Sequence, residues 1–192
     1  MTHLSIIAGL GNPEEKYERT LHNAGFWFVD AVARKYGGEF RYEKKFGAEC
    51  CKVSIGSCDI WLVKPQSYMN RSGGPVRSML DYYRLDAEHL LVAHDEIDLP
   101  PGTVRLKKGG GHGGHNGLRD VLAHCGADFM RLRIGVGHPG EKSKVTAHVL
   151  KRGSSDVERA VEKNVDEAMG VMPLLLDDGL NAATKVLHTK ED

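Results

Sequence analysis

The stretch "LSIIAGLGNP", Leu4–Pro13, decides the fold class, because a short apolar run stops abruptly in glycine, asparagine and proline. "LSIIA" reads as a buried strand and "GLGNP" as its break. Downstream, "AGFWFVDAVARKYGG" (24–38) sets Phe26, Val29, Val32, Ala33 and Tyr36 on one helical stripe before a glycine stop. Farther out, "AECCKVSI" (48–55) and "CDIWLVKP" (58–65) flank Gly56 and Ser57, which predicts a hairpin. "PVRSMLDYYRL" (75–85) reads as a helix with proline at its first position. "LLVAHDE" (90–96), "TVRLKK" (103–108) and "MRLRIGVG" (130–137) read as strands, "LRDVLAH" (118–124) as a short helix, and two helices near 155–170 and 179–188 follow. Strands alternating with helices predict one domain over residues 1–192. Its fold class is α/β, a three-layer α/β/α sandwich with a mixed, mostly parallel central sheet.

The chain has 192 residues, 41% of them hydrophobic, enough for one well-packed core. No apolar run approaches the ~20 residues of a membrane span, and "MTHLSIIAGLG" lacks the basic region and small-residue cleavage site of an export signal. A soluble cytoplasmic protein is expected. Cys50, Cys51, Cys58 and Cys125 contain no C-x-x-C spacing and predict reduced thiols, neither a zinc site nor a disulfide framework. The 26 basic residues equal the 26 acidic ones, but their distribution is uneven. Between residues 100 and 155, ten basic residues face three acidic ones, whereas from 156 onward four face nine. A neutral protein with one basic face would show this asymmetry.

In an α/β sheet, binding groups come from loops at the carboxyl ends of strands. Here five loops pair glycine or proline with asparagine, histidine or aspartate: "GLGNP", "LHNAGF", "SYMNRSGG", "HDEIDLPPG" and "GGGHGGHNG". The last, Gly109–Gly117, holds six glycines, a density that implies left-handed turns or a close approach by another molecule. "GLGNPE" lacks the third glycine of a dinucleotide fingerprint, and "GGGHGG" lacks the Lys-Ser/Thr ending of a P-loop. His112 and His115, with Asp95, Glu96 or Asp98, form the alternative of a zinc site.

"GLGNP" (9–13), "HNAGF" (22–26), "MNRSGG" (69–74), "HDEIDLPPG" (94–102), "GGGHGGHNGL" (109–118) and "RLRIGVGHPG" (131–140) together resemble the bacterial peptidyl-tRNA hydrolase family, in order and spacing. The resemblance implies hydrolysis of the ester between a peptide and the terminal ribose of tRNA, with no cofactor and no metal. It implies a monomer whose partner is peptidyl-tRNA, held by both the tRNA acceptor end and the attached peptide. Carried onto this chain, His22 is the base for water and Asp95 its orienting residue, with Asn116 catalytic beside them. Asn12, Tyr17, Met69, Asn70, His115 and Asn116 bind substrate, and Lys107 and Arg133, with Arg105 as a possible third, hold the tRNA 5′-phosphate.

The residues support part of this chemistry independently. Ester hydrolysis needs a proton acceptor for water and donors for the oxyanion. His22 precedes a predicted helix, whose dipole favours a neutral imidazole, while Asp95 would stabilise the imidazolium as it forms. Asparagines suit an amide-rich substrate because they offer donors and an acceptor without charge. Asn116 could instead cap the helix starting at Leu118. On the "TVRLKK" strand, Arg105 and Lys107 share a face and Lys108 points away; Arg133 could alternatively pair with a carboxylate inside the fold. The glycines of the 109–117 loop keep the wall of a cleft low for a backbone-sized substrate, leaving His115 and Asn116 to project, with His112 packed or hydrogen-bonded within the loop. A non-enzymatic RNA-binding module on this fold would need the basic face but not the dyad.

Overall fold

The computed structural model describes residues 3–188, so Lys190 and its neighbours in the carboxy-terminal charge count lie outside the described residues. Seven strands form one sheet: β1 (Ile6–Gly9), β2 (Arg41–Glu43), β3 (Ala48–Ile55), β4 (Cys58–Pro65), β5 (Leu90–Glu96), β6 (Val104–Lys108) and β7 (Met130–Gly135). Their spatial order is β2-β3-β4-β1-β5-β7-β6. β1 pairs in parallel with β4 and β5, and β5 with β7; the remaining pairs are antiparallel, so only β3 and β6 run against the other five. The helices are α1 (Ala24–Tyr36), α2 (Gly73–Tyr82), α3 (Asn116–Cys125), α4 (Val145–Val149), α5 (Ser155–Gly170), α6 (Met172–Asp178) and α7 (Leu180–His188). Strand residues alternate between two cores. Ile7, Leu62, Leu91 and Leu132 pack with α1, α5, α6 and α7, while Ile6, Val63 and Val92 pack with α2 and α3. No helix among the described residues is long and apolar enough to cross a membrane.

Several boundaries differ from the sequence reading for identifiable reasons. α2 starts at Gly73, two residues before Pro75, because Asp120 on α3 accepts a hydrogen bond from the Gly73 N–H (2.8 Å) and caps the helix from outside. α3 starts at Asn116, and its cap is His115, whose side chain accepts from Leu118 N–H. β2, α4 and α6 were not anticipated; each has seven residues or fewer, too short for a periodic signal. β6 matters most for the site. Because it is antiparallel to β7, Lys108 pairs with Met130 at the start of β7. The glycine loop therefore begins at the opposite edge of the sheet from the carboxyl ends of β1, β4 and β5.

The amino end of α1 sits directly on β1 and β5. A Cβ on Gly25 would lie 2.3 Å from the Ala93 carbonyl oxygen and 2.6 Å from Leu10 N, both backbone atoms with little freedom to move. Gly25→Ala is therefore expected to lower unfolding free energy by about 1–3 kcal/mol in urea denaturation. Gly74→Ala, in open space at the start of α2, serves as the control and should cost nothing.

Candidate active site

Asp95, near the end of β5, is 3% exposed and accepts hydrogen bonds on both oxygens. Oδ2 lies 2.8 Å from His22 Nδ1, and Oδ1 lies 2.8 Å from His115 Nε2. His22 arrives on a 3-10 turn, Leu21–Asn23, that leads into α1, and His115 ends the glycine loop. An ionised carboxylate only accepts, so both ring atoms facing it carry protons. Leu118 N–H donates to His115 Nδ1 (3.1 Å), which fixes that ring as the Nε2–H tautomer. His22 Nε2 has no partner among the described residues, leaving a lone pair on the half-buried ring.

Burial alone opposes charge on His22, but the Asp95 charge and hydrogen bond outweigh it and hold its pKa above the ordinary value. Of the two opposed effects expected on this ring, Asp95 prevails: a carboxylate in direct contact inside a dry site exceeds the partial charge of a helix end. For Asp95, burial pushes the pKa up, yet the attraction of His22 and His115 and their hydrogen bonds hold it well below the usual carboxylate range. Beneath them His94 is fully buried, and burial followed by His115 lowers its pKa to about 3. It is neutral, donates from Nδ1 to the Asp95 carbonyl (2.8 Å), and sets its ring edge-on to His115.

A cleft of about 350 Å³ opens over His22. Asn12, Asn70 and Asn116 line it with Met69, while Ile97, Val145, Val149 and Leu150 give it an apolar wall built largely from α4. Asn12 is locked in place. The Asn23 side chain accepts from Asn12 N–H (2.9 Å) and donates to the Asn12 carbonyl (3.0 Å), and Asn12 Oδ1 accepts from Met69 N–H (2.8 Å). Its Nδ2 has no hydrogen-bond partner among the described residues. Tyr68, at φ 65°, is one of two non-glycine residues with positive φ among the described residues, and its hydroxyl donates to Glu14 (2.6 Å). Two candidate binders are displaced from that role. Tyr17 lies outside the cleft lining, its ring beneath the Lys16 ammonium. His115 lines the cleft, but both its ring nitrogens are already occupied, so it orients Asp95 rather than projecting toward a ligand.

The glycine loop owes its composition mainly to backbone conformation: Gly109, Gly110, Gly113 and Gly114 all have positive φ. Close approach applies to Gly117, where a Cβ would fall 2.5 Å from Met69 Sδ. His112 accepts from Gly114 N–H within the loop, as expected. At the sheet edge, β6 and β7 pair Arg105 with Arg133 and Lys107 with Arg131, which puts all four cations on one face. Arg133 Nε donates to Glu96 (2.9 Å), so the internal carboxylate partner exists, and its Nη groups remain. Lys107 has no ion-pair partner among the described residues, Lys108 turns away to Glu88 (3.8 Å), and Arg105 bends back to the Val104 carbonyl.

The model of the family described as peptidyl-tRNA hydrolase matches residues 6–192. The chain belongs to the peptidyl-tRNA hydrolase family. It is 54% identical over 187 residues to the peptidyl-tRNA hydrolase of Halorhodospira halophila, covering 97% of this chain and 96% of that one. Against the peptidyl-tRNA hydrolase of Neisseria meningitidis serogroup A, identity is 43% over 188 residues, covering 97% and 98%. The crystal structure of peptidyl-tRNA hydrolase from Acinetobacter baumannii superposes with a TM-score of 0.94 at 44% identity, covering 98% of this chain and 96% of that one.

His22, Asp95 and His115 also place three donor atoms within 4.8 Å of one another, a spacing that could hold a metal ion. Ligation there would require His115 Nε2 to surrender the proton that its cap to Leu118 keeps in place. Sequence reasoning missed Asn23, Tyr68, Arg131 and the α4 wall, and it weighed Glu96 only as a zinc ligand and not as the partner of Arg133. Asn23 was visible as the residue beside His22 in "HNAGF", and Arg131 as the residue two before Arg133 on one strand. In an NMR titration, His22 should show a midpoint above 6.5, and Asp95→Asn should move it below that value because only burial then acts. His94 should stay neutral until near its value of about 3.

Proposed function

We propose that this chain hydrolyses the ester joining a peptide to the terminal ribose of tRNA, with water activated at His22 Nε2. The observation that carries the reading is the bare His22 Nε2, aligned by a buried, doubly hydrogen-bonded Asp95 in a cleft lined by three asparagines. Water gives its proton to His22 as its oxygen attacks the ester carbonyl. Asp95 stabilises the imidazolium, and the same proton passes to the ribose oxygen as the C–O bond breaks. The Asn12 Nδ2 and Asn116 amides supply donors for the carbonyl oxygen as it becomes an oxyanion, and Asn70 and Met69 border the peptide. Lys107 and the Nη groups of Arg133 take the tRNA 5′-phosphate, a contact that positions RNA without reading its bases. Residues 1–192 act as one catalytic domain, a cytoplasmic monomer.

His22→Ala should lower kcat by about 10²–10⁴-fold with tRNA affinity nearly unchanged, measured by release of tRNA from N-acetylated aminoacyl-tRNA. Asp95→Asn should cost less, and EDTA should leave turnover intact. Lys107→Ala should raise KM for peptidyl-tRNA and flatten its salt dependence while sparing a minimal peptidyl-nucleotide without the tRNA body. Equal losses on both substrates would remove Lys107 from the phosphate clamp.

A further inference from the structure

Arg131 is 3% exposed, yet no carboxylate among the described residues lies within ion-pair distance of it. Its donors go instead to the glycine loop. Nη1 donates to the Gly111 carbonyl and Nη2 to the Gly110 carbonyl (2.5 Å), the Phe129 ring lies against the guanidinium, and Nε has no partner among the described residues. Burying a cation without a counter-charge is unfavourable, and the two loop carbonyls are what this one serves.

The course of the loop explains why they need serving. After Lys108 the chain is at the start of β7, and Gly109 N–H donates to the Phe129 carbonyl there. By His115 it has reached Asp95, which pairs with Ile134 near the far end of the same strand. From the level of Arg131 to that of Ile134 the climb is about 10 Å at strand rise. Beyond Gly111 the loop's own bonds are local, His115 N–H to the His112 carbonyl and Gly114 N–H to His112 Nδ1.

We propose that Arg131 is a positioning residue for the hydrolysis: by holding the Gly110 and Gly111 carbonyls it sets where His115 meets Asp95 and where Asn116 enters the cleft. It is not a phosphate ligand, because its donors point into the loop and not to solvent. The role rests on the His22–Asp95 reading and deepens it. Freed from His115, Asp95 would have one donor fewer and would hold the His22 proton more tightly.

The test compares Arg131→Gln and Arg131→Lys on peptidyl-tRNA and on the minimal peptidyl-nucleotide. In the glutamine variant kcat should fall on both substrates, by up to the order of 10²-fold that a misplaced catalytic group costs, with KM unchanged. The acid limb of its pH profile should move to higher pH. His115→Ala, which removes the donor to Asp95, should move the limb the same way, and the double variant no further, since both act on one contact. Lysine, which keeps one ammonium for the carbonyls, should recover part of kcat. A loss confined to KM for peptidyl-tRNA would make Arg131 a phosphate ligand, and a fall in kcat without the pH displacement would make its role merely structural; either overturns the proposal, as does unchanged kcat. If circular dichroism shows Arg131→Gln unfolded, Arg131→Lys decides by the same readouts. Full activity in His22→Ala, assayed in parallel, would overturn the base assignment instead.

Discussion

A carboxylate at 3% exposure is costly unless its lone pairs are filled, and Asp95 fills them with two histidines from separate segments of the chain. Much of the surrounding architecture serves that arrangement. His22 reaches Asp95 because α1 is allowed against β1 and β5 by the missing side chain of Gly25. Asn23, the next residue, ties the same turn to Asn12 after β1, so His22 and Asn12 are held to one another. On the other side the amino end of α3 donates to His115, which passes a fixed tautomer on to Asp95. The site is thus built where a helix start, two strand ends and a loop end meet.

The local elements were largely legible in the residues. The hairpin strands at 48–55 and 58–65 match β3 and β4 because an alternating pattern on each side of Gly56, at φ 62°, leaves one register. Helix α1 matches because its apolar stripe and its Gly37 stop agree. The direction of β6 was not legible, since parallel or antiparallel pairing depends on partners distant in sequence. That single unknown put the start of the glycine loop at the opposite end of the sheet, so that only its last residues, from Gly113 on, reach the cleft. His115 was visible as a site residue, but its role was not: capping and carboxylate contact use both nitrogens, and only the fold brings Leu118 N–H and Asp95 to one ring.

Charge shows a similar division. A net charge of zero conceals four cations on one face of β6 and β7, and their environments differ more than their spacing suggests. Arg133 has Glu96, Arg131 has backbone carbonyls, and Lys107 has no ion-pair partner among the described residues, so three neighbours on one surface are suited to three tasks. A partnered guanidinium is preorganised and keeps donors in a fixed plane, whereas a lone ammonium is mobile and strongly hydrated. A phosphate arriving between them would meet a rigid fork on one side and an adaptable point charge on the other.

Glycine-rich segments carry a large conformational entropy cost, and the chain from Gly109 to His115 crosses the sheet face with no strand partner to offset it. Order therefore depends on its ends. At the lower end Arg131 holds two successive carbonyls; at the upper end His115 is fastened to Asp95 and to the first turn of α3. Between them His112 closes a short turn on its own backbone. Side chains in the left-handed positions would strain this path, and a longer segment would slacken it. The bareness of the stretch follows from those two anchors and the short distance between them, and the open space beside Gly113 and Gly114 in the cleft is a consequence of the same requirement.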